Sequence, residues 1–159
     1  MKNISKTNAL RLAESAGLQF AAYEYDTSDN QIDANSVARK IGRNPDEVFK
    51  TLVTQAPGKE YFVFILPATG ELDLKKAAKV SGKKSIEMIA SKELLPLTGY
   101  VHGGCSPLGM KKLFPTFIDE TAILYDTICV SGGRVGLNIA VNPEKLANLI
   151  NAKFADITK

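Results

Sequence analysis

Two neighbouring segments rich in β-branched and aromatic residues constrain the fold more than any other feature of this sequence. "VFKTLVTQ" spans residues 48–55, "YFVFILP" spans 61–67, and only "APGKE" separates them. Valine, isoleucine, threonine and phenylalanine favour strands, and Pro-Gly between two such runs is typical of a hairpin or a tight turn. The sequence therefore predicts two consecutive strands joined by a short turn.

The remaining elements are short, and their order does not follow a regular β-α-β alternation. Further strands are predicted over 18–25, 85–89, 115–120, 127–133 and 136–141. Helices are predicted over 5–16, over 36–41 with Asn35 as the N-cap, from Pro45, over 74–80 with Asp73 as the N-cap, over 91–97 and from Pro143. Short strands mixed with short helices indicate an α+β fold with a mixed or partly closed sheet, and they argue against a doubly wound Rossmann fold.

Size, charge and cysteine content narrow the class of protein. The chain has 159 residues and a net charge of +3, so we expect one domain over residues 1–159. Cys105 and Cys129 fit neither a zinc spacing nor a disulfide framework, which favours a reduced, cytoplasmic compartment. No segment has the pattern of a signal peptide or a membrane span. The charge permits an anionic partner without requiring one.

Lys50 is the first candidate for a functional role. Side chains alternate along a strand, so Phe49, Thr51 and Val53 share one face while Lys50 and Leu52 share the other. Both faces carry large apolar residues, so we expect the strand to be covered on both sides. A lysine there reaches a pocket mouth or buries its ammonium, which is costly unless the charge is paired. From spacing alone, the simpler alternative is an edge lysine whose amine reaches solvent.

Two glycine-rich segments are the second candidate. "GGCSPLG" spans 103–109 and "SGGRVG" spans 131–136. Glycine adopts positive φ and lets a ligand approach the backbone, and consecutive N–H groups form a cradle for an anion or an oxyanion. For either segment alone, ordinary turn chemistry at strand ends is the simpler alternative. Neither segment is a P-loop or a dinucleotide-binding fingerprint.

A catalytic nucleophile supplied by the protein has little support. Ser106 and Cys105 each need a base, and His102 is the only histidine. Pro107 and the glycines break the extended geometry that would align these groups. We therefore expect His102 to be exposed or packed, and Cys105 to act as a small apolar residue rather than a reactive thiol. The acidic residues show no metal-ligand pattern, and no cofactor is expected.

Six motifs lie between residues 48 and 157, within a similarity that runs in register from roughly residue 8 to residue 157. They are "VFKTLV", "LDLKKAAK", "KKSIEM", "TGYVHGGCSPLGMKK", "TICVSGGRVGL" and "AKFADI". In this order they resemble the YbaK/EbsC family of stand-alone editing enzymes, the Cys-tRNA(Pro) deacylases, whose superfamily includes the editing domain of bacterial prolyl-tRNA synthetases. The resemblance implies a compact α+β domain with a mixed, barrel-like sheet and flanking helices, and it implies no cofactor.

The resemblance also implies roles for individual residues. Lys50 is the implied catalytic residue, the segment 103–109 shapes the pocket, and the turn at 131–133 helps hold the aminoacyl ester. The implied substrate-binding residues are Tyr25, Gly103, Gly104, Ser106, Pro107, Gly109, Ser131, Gly132 and Gly133. Among the grouped basic residues, we expect Lys111, Lys112 and Arg134 to lie near the tRNA backbone, although such groups usually form a solvated face.

The implied chemistry needs no nucleophile from the protein. The substrate's own thiolate attacks its carbonyl and releases a cyclic thiolactone, while the protein supplies placement and oxyanion stabilisation. The implied partners are aminoacyl-tRNA and, transiently, prolyl-tRNA synthetase. Three alternatives stay open: a deacylase for Ala-tRNA(Pro), a non-catalytic module that binds tRNA or the synthetase, and a thiol-redox protein that uses Cys105.

Four positions depart from the family pattern, and one of them is His102, which is atypical there. Cys105 stands where relatives usually carry an aliphatic residue, and Asn138 stands where some carry Asp. In the loop 27–35, relatives often place a pocket phenylalanine, and Ile32 is the corresponding apolar residue here. These departures bear on amino-acid specificity more than on the fold.

Overall fold

The predicted pair of strands forms the centre of the larger of two sheets. In the computed structural model, which describes residues 5–159, these strands run Phe49–Ala56 and Glu60–Pro67 and pair antiparallel. The turn between them uses positive φ at Gly58 and Lys59, as a tight reversal requires. The predicted hairpin is confirmed.

The other elements are short, as the sequence predicts. The helices are α1 (Asn8–Ser15), α2 (Ala34–Ile41), α3 (Leu74–Ser81), α4 (Ser91–Thr98) and α5 (Pro143–Ile150). The strands are β1 (Phe20–Glu24), β2 (Phe49–Ala56), β3 (Glu60–Pro67), β4 (Glu87–Met88), β5 (Thr116–Asp119), β6 (Ile128–Arg134), β7 (Leu137–Val141) and β8 (Lys153–Ala155). Single 3₁₀ turns cover Pro45–Glu47 and Glu120–Leu124.

The strands form two sheets. The larger has the order β4-β2-β3-β5-β8, and the smaller has the order β1-β7-β6. β3 pairs parallel with β5, and β5 pairs parallel with β8, so the larger sheet combines parallel and antiparallel neighbours. The predicted α+β class with a mixed sheet is confirmed. Within residues 5–159 the barrel-like arrangement is not a closed barrel, because the strands form two separate sheets with an isolated bridge between Val48 and Cys129.

Two predicted helix starts were wrong by a few residues. α2 begins after Asp33 rather than after Asn35, because the Asp33 carboxylate accepts hydrogen bonds from the Ser36 N–H and hydroxyl. α1 begins after Thr7, whose Oγ1 accepts from the Leu10 N–H. For α3 the predicted cap is confirmed, since the Asp73 carboxylate accepts from the N–H groups of the first turn.

Both faces of β2 are covered, as its alternation predicts. Phe49 and Val53 pack in one apolar cluster, together with residues of α1, β6 and β7. Leu52 packs against a second cluster on the opposite face, which includes residues of α3. Lys50 lies on the same side of the strand as Leu52, so its polar head has to leave the core along the strand edge.

Candidate active site

A cavity of about 640 Å³ lies beside the first half of β2. The segment 30–34 forms one wall, and the two glycine-rich segments reach it from the other side. Four residues predicted for the site line this cavity: Tyr25, Lys50, Gly103 and Ser131. Residues from β2, the glycine-rich loop and β6 therefore meet at one place.

The cavity lies beside a stretch of β2 whose outer edge is unpaired between the Val48–Cys129 bridge and the pairing with β4. The Ala68 N–H donates to Val48 O, so by antiparallel alternation Lys50 and Leu52 bond to β3 while Thr51 turns its peptide groups to the opposite edge. On that edge β4 pairs with β2 only at Thr54 and Gln55. The segment 49–52 consequently faces the cavity, and side chains from both faces of the strand line it.

Lys50 is half-buried in the cavity wall. Its Nζ donates to the Gly70 carbonyl at 2.7 Å, which fixes the amine beside the cavity. Burial lowers the pKa of Lys50, and the negative charge of Glu71 partly opposes that shift. An edge lysine free in bulk water, the simpler alternative from spacing, does not describe this environment.

The loop 103–109 is tightly packed against the rest of the protein. Gly103 has φ +81° and lies at the cavity wall. A Cβ atom at Gly104 would lie 2.8 Å from Val135 N, so this glycine lets the loop touch the turn after β6. Ser106 is buried and its Oγ accepts from the Leu108 N–H at 3.2 Å, which fixes the loop beside the buried Pro107.

The turn at 131–133 lies within β6, where the pairing with β7 is shifted by a bulge. Ser131 lines the cavity, and its Oγ accepts from the Gly133 N–H at 3.2 Å. The Gly132 carbonyl accepts a hydrogen bond from the Thr7 hydroxyl. A Cβ atom at Gly133 would lie 2.9 Å from Thr7 Cβ, so this glycine makes room for the start of α1.

Gly109 makes room for the same helix. A Cβ atom there would lie 2.8 Å from the carbonyl carbon of Asn8 and 2.9 Å from the Tyr100 hydroxyl. Of the five glycines predicted for the site, all within the described residues, Gly103 is the one that lines the cavity. The close approach at Gly104, Gly109, Gly132 and Gly133 is between parts of the protein.

The profile of the aminoacyl-tRNA editing domain matches residues 30–149. This chain belongs to the aminoacyl-tRNA editing domain family. A curated relative from Enterococcus faecalis, named as a candidate Cys-tRNA(Pro)/Cys-tRNA(Cys) deacylase, EbsC, is 45% identical over 157 residues, which covers 99% of this chain and 96% of the relative. The resemblance to the YbaK/EbsC family is confirmed.

Solved structures give the same architecture. A crystal structure described as a candidate trans-editing enzyme for prolyl-tRNA synthetase superposes with a TM-score of 0.82 at 24% identity, covering 95% of this chain and 92% of that one. The hypothetical protein APE2540 superposes with a TM-score of 0.88 at 19% identity, covering 96% and 100%. At these identities the two structures support the fold alone. None of the helices in the described part combines the length and apolar character that crossing a bilayer requires.

The thiols of this editing domain are poorly suited to nucleophilic attack. Cys105 lines the cavity, but burial raises its pKa to about 12, and a hydrogen bond with Thr98 only partly offsets that effect. Cys129 is buried, and burial raises its pKa to about 11. Thiols at such pKa values stay protonated near neutral pH. His102 is exposed at the cavity rim.

Sequence reasoning missed several residues of the wall. Thr51 and Leu94 are among them. Asn138, His102 and Cys105 were noted in the sequence without a role in binding, and Ile32 was expected in the place of a pocket phenylalanine. Asn138 lies directly opposite Ser131 in the pairing of β6 with β7, which is the signal that was available. The Asn138 Oδ1 and Thr51 Oγ1 atoms are buried and have no hydrogen-bond partner among the described residues.

The predicted tRNA-backbone residues lie outside the cavity wall. Lys111 and Lys112 are exposed, and the Lys111 stem packs over Gly99. The Arg134 guanidinium donates to the Ser5 carbonyl at 2.9 Å and lies 3.6 Å from the Glu24 carboxylate. Arg134 thus has a structural role in holding the segment before α1.

Proposed function

We propose that this chain is a trans-editing deacylase whose substrate is tRNA(Pro) esterified with cysteine. The observation that carries the proposal is the meeting of Lys50, Gly103 and Ser131 at one cavity of about 640 Å³. That volume is within the range of small-molecule sites and suits an aminoacyl ester with its ribose. The name of the Enterococcus relative supports the same substrate class.

The proposed reaction uses the substrate's own sulfur. The thiolate of the bound cysteine attacks its ester carbonyl, so that a C–S bond forms and the ester C–O bond breaks. The ribose oxygen leaves and takes up a proton, giving a cyclic thiolactone and free tRNA. Because the substrate supplies the nucleophile, the protein needs none, which agrees with the raised pKa of Cys105.

The protein's contribution is placement and charge stabilisation. The Lys50 ammonium, held at the wall by Gly70, orients the ester and stabilises the developing oxyanion. The Gly104 N–H donates to Val101 O at 2.9 Å and the Gly133 N–H donates to Ser131 Oγ, so these two donors are already used. We therefore assign oxyanion stabilisation to Lys50 and the main chain of Gly103.

Selectivity follows from the same chemistry. Excluding a side chain of similar size by packing alone gives only about 10- to 200-fold discrimination, so a second check on cysteine is useful after aminoacylation. A site that positions an ester but lacks a protein nucleophile leaves Pro-tRNA(Pro) intact, since proline has no thiol. We further propose that residues 1–159, of which 1–4 lie outside the described part, act as one domain in the cytoplasm with prolyl-tRNA synthetase as a transient partner.

The test is a deacylation panel with tRNA(Pro) carrying cysteine, alanine, serine or proline. We expect rapid release from the cysteinyl ester, with little release from the other three, each rate being corrected for release without protein. Preferential release of alanine would instead favour the Ala-tRNA(Pro) alternative. Binding of all four substrates without release would favour the non-catalytic module.

A further inference from the structure

Lys40 has an environment that the proposed reaction does not explain. This residue is in the last turn of α2, and its side chain is only 14% exposed. Its Nζ donates to the Asp26 carbonyl at 2.7 Å, to Asp29 Oδ1 at 2.8 Å and to the Gln31 carbonyl at 3.0 Å. An ammonium has three N–H donors, so all three are used on one short loop.

That loop is a wall of the cavity. Asn30, Gln31, Ile32 and Asp33 all line the cavity and directly follow or overlap the residues that Lys40 holds. Ile32 reaches across to the glycine-rich loop, since its Cδ1 would lie 3.2 Å from a Cβ atom at Gly103. The position of this short segment therefore sets the width of the cavity at Gly103.

The loop has short-range hydrogen bonds of its own, from the Gln31 N–H to Asp29 Oδ1 and from the Asn30 N–H to Thr27 O, both at 3.0 Å, but these do not tie it to the rest of the protein. It has no strand partner in the described part of the chain, and Ile32 is 37% exposed, so apolar packing contributes little. Asp33 anchors its far end as the N-cap of α2, and Arg39 donates to the Gln31 side chain at 3.3 Å. Charged hydrogen bonds to main-chain carbonyls are stronger than neutral ones, so Lys40 supplies the main restraint over residues 26–31.

We propose that Lys40 is a positioning residue that fixes the cavity wall carrying Ile32 and thereby sets the upper size of the aminoacyl group that the site accepts. Lys40 itself does not line the cavity. It acts on specificity through the loop, while the chemistry stays with Lys50. The link to aminoacyl size rests on the proposed function, whereas the restraint on the loop does not.

The experiment compares Lys40→Met, which keeps the apolar stem but removes all three donors, with Lys79→Met, an exposed lysine on α3. Hydrogen exchange of the intact protein is measured by mass spectrometry. We expect amides of residues 27–33 to exchange about tenfold or more faster in Lys40→Met, with β2 and β3 unchanged. Lys79→Met should match the wild type. Unchanged exchange at 27–33 in Lys40→Met would overturn the proposal.

Selectivity is measured on the same proteins with tRNA(Pro) carrying cysteine or the bulkier leucine, the latter scored as competitive inhibition because leucine has no thiol. We expect tRNA(Pro) carrying leucine to inhibit Lys40→Met with an inhibition constant about tenfold lower than for the wild type. The kcat of Lys40→Met for the cysteinyl ester should stay within about threefold of the wild-type value. Faster exchange with unchanged inhibition would overturn the role in specificity. Lys40→Arg should restore part of both properties, because the guanidinium keeps charge and donors but has a planar geometry.

A third variant covers the case in which Lys40→Met does not fold. Asp29→Ala removes one of the three acceptors of Lys40 and leaves both carbonyls, but it also removes the acceptor of the Gln31 N–H, so exchange is scored at residues 27–30, where it should rise about two- to fivefold. No rise there would count against the proposal. If the wild type deacylates none of the esters in the panel, the proposed function is wrong. The exchange result still decides whether Lys40 restrains the loop.

Discussion

The two sides of the cavity are built in different ways. On one side, β2, β6 and β7 present Lys50, Ser131 and Asn138 from paired strands that belong to the core. On the other, Ile32 belongs to an exposed loop held mostly by hydrogen bonds to Lys40. The sheet side is suited to fixing reacting groups, and the loop side is suited to adjusting shape, so we expect substitutions on the two sides to have different kinetic effects.

The largest effect is expected from Lys50→Ala on the sheet side. Removing one preorganised donor to an oxyanion typically lowers kcat by about 10²–10³-fold, because that interaction exists mainly in the transition state. Single-turnover deacylation of Cys-tRNA(Pro) measures the loss, and tRNA affinity should change little. Full activity in this variant would show that the amine plays no part in the reaction.

The pH dependence tests the charge state of the same residue. Burial lowers the pKa of Lys50 below the ordinary 10.5, so the ammonium is lost at a lower pH than for an exposed lysine. We expect kcat/KM to fall about tenfold per pH unit above that pKa, after subtraction of uncatalysed ester hydrolysis. Lys50→Arg stays protonated and should lack this fall. A fall that is identical in both proteins would assign it to another group.

Gly133→Ala tests the close packing of β6 against Thr7, the cap of α1. Gly133 has φ +106°, and the added Cβ would also meet Thr7 at 2.9 Å. Gly58→Ala is the matched control, because Gly58 has φ +87° and nothing lies within 4 Å of its Cβ position. Backbone strain lowers the free energy of unfolding by roughly 1–3 kcal/mol in either variant, and we expect a larger loss for Gly133→Ala. Equal losses in urea denaturation would mean that α1 adapts freely.

Ile32→Ala probes the loop side. Removing an apolar side chain that is partly exposed should raise KM for Cys-tRNA(Pro) several-fold and leave single-turnover kcat within about threefold. Steady-state and single-turnover measurements together separate the change in KM from the change in kcat. A large fall in kcat with unchanged KM would place Ile32 among the groups that act in the transition state and would remove the contrast between the two sides.

The smallest effect is expected from Cys105→Ala. The thiol is buried and its pKa is raised to about 12, so it contributes volume to the wall rather than reactivity. Deacylation rates should change less than about fivefold. Complete loss of activity with an intact fold would instead support the thiol-redox alternative.

The sequence was most informative where local patterns decide the structure. The hairpin of β2 and β3 and the Asp73 cap follow from alternation and turn residues. For Lys50, alternation left a pocket mouth and an exposed strand edge both open, and the family resemblance pointed to the site. The assignment of glycines was less successful, because positive φ and close approach look alike whether the neighbour is a ligand or α1. Gly109 lies against Asn8, the first residue of α1, and Gly133 lies against Thr7, the cap of that helix. Each pair is more than 100 positions apart in the sequence, a relation that only the tertiary structure supplies.

The loop side was hidden for a related reason. Lys40 and Asp29 are separated by a stretch without periodicity, so nothing in their spacing indicates that they meet. Asn35 looked like the helix cap because Asn and Asp both suit that position, and the Ser36 hydroxyl decided in favour of Asp33. Thr51 was assigned to the face away from Lys50, and it reaches the cavity because the strand edge itself forms the wall.

The unpartnered edge of β2 has a consequence for solubility. A bare strand edge is a template on which another chain can add, and such edges promote self-association unless something covers them. Here residues 30–34 face this stretch of β2 across the cavity, so a loop that is held in place leaves less room for another chain to reach the edge. Variants that loosen residues 26–33 should therefore scatter more light on concentration, even when their remaining structure is intact.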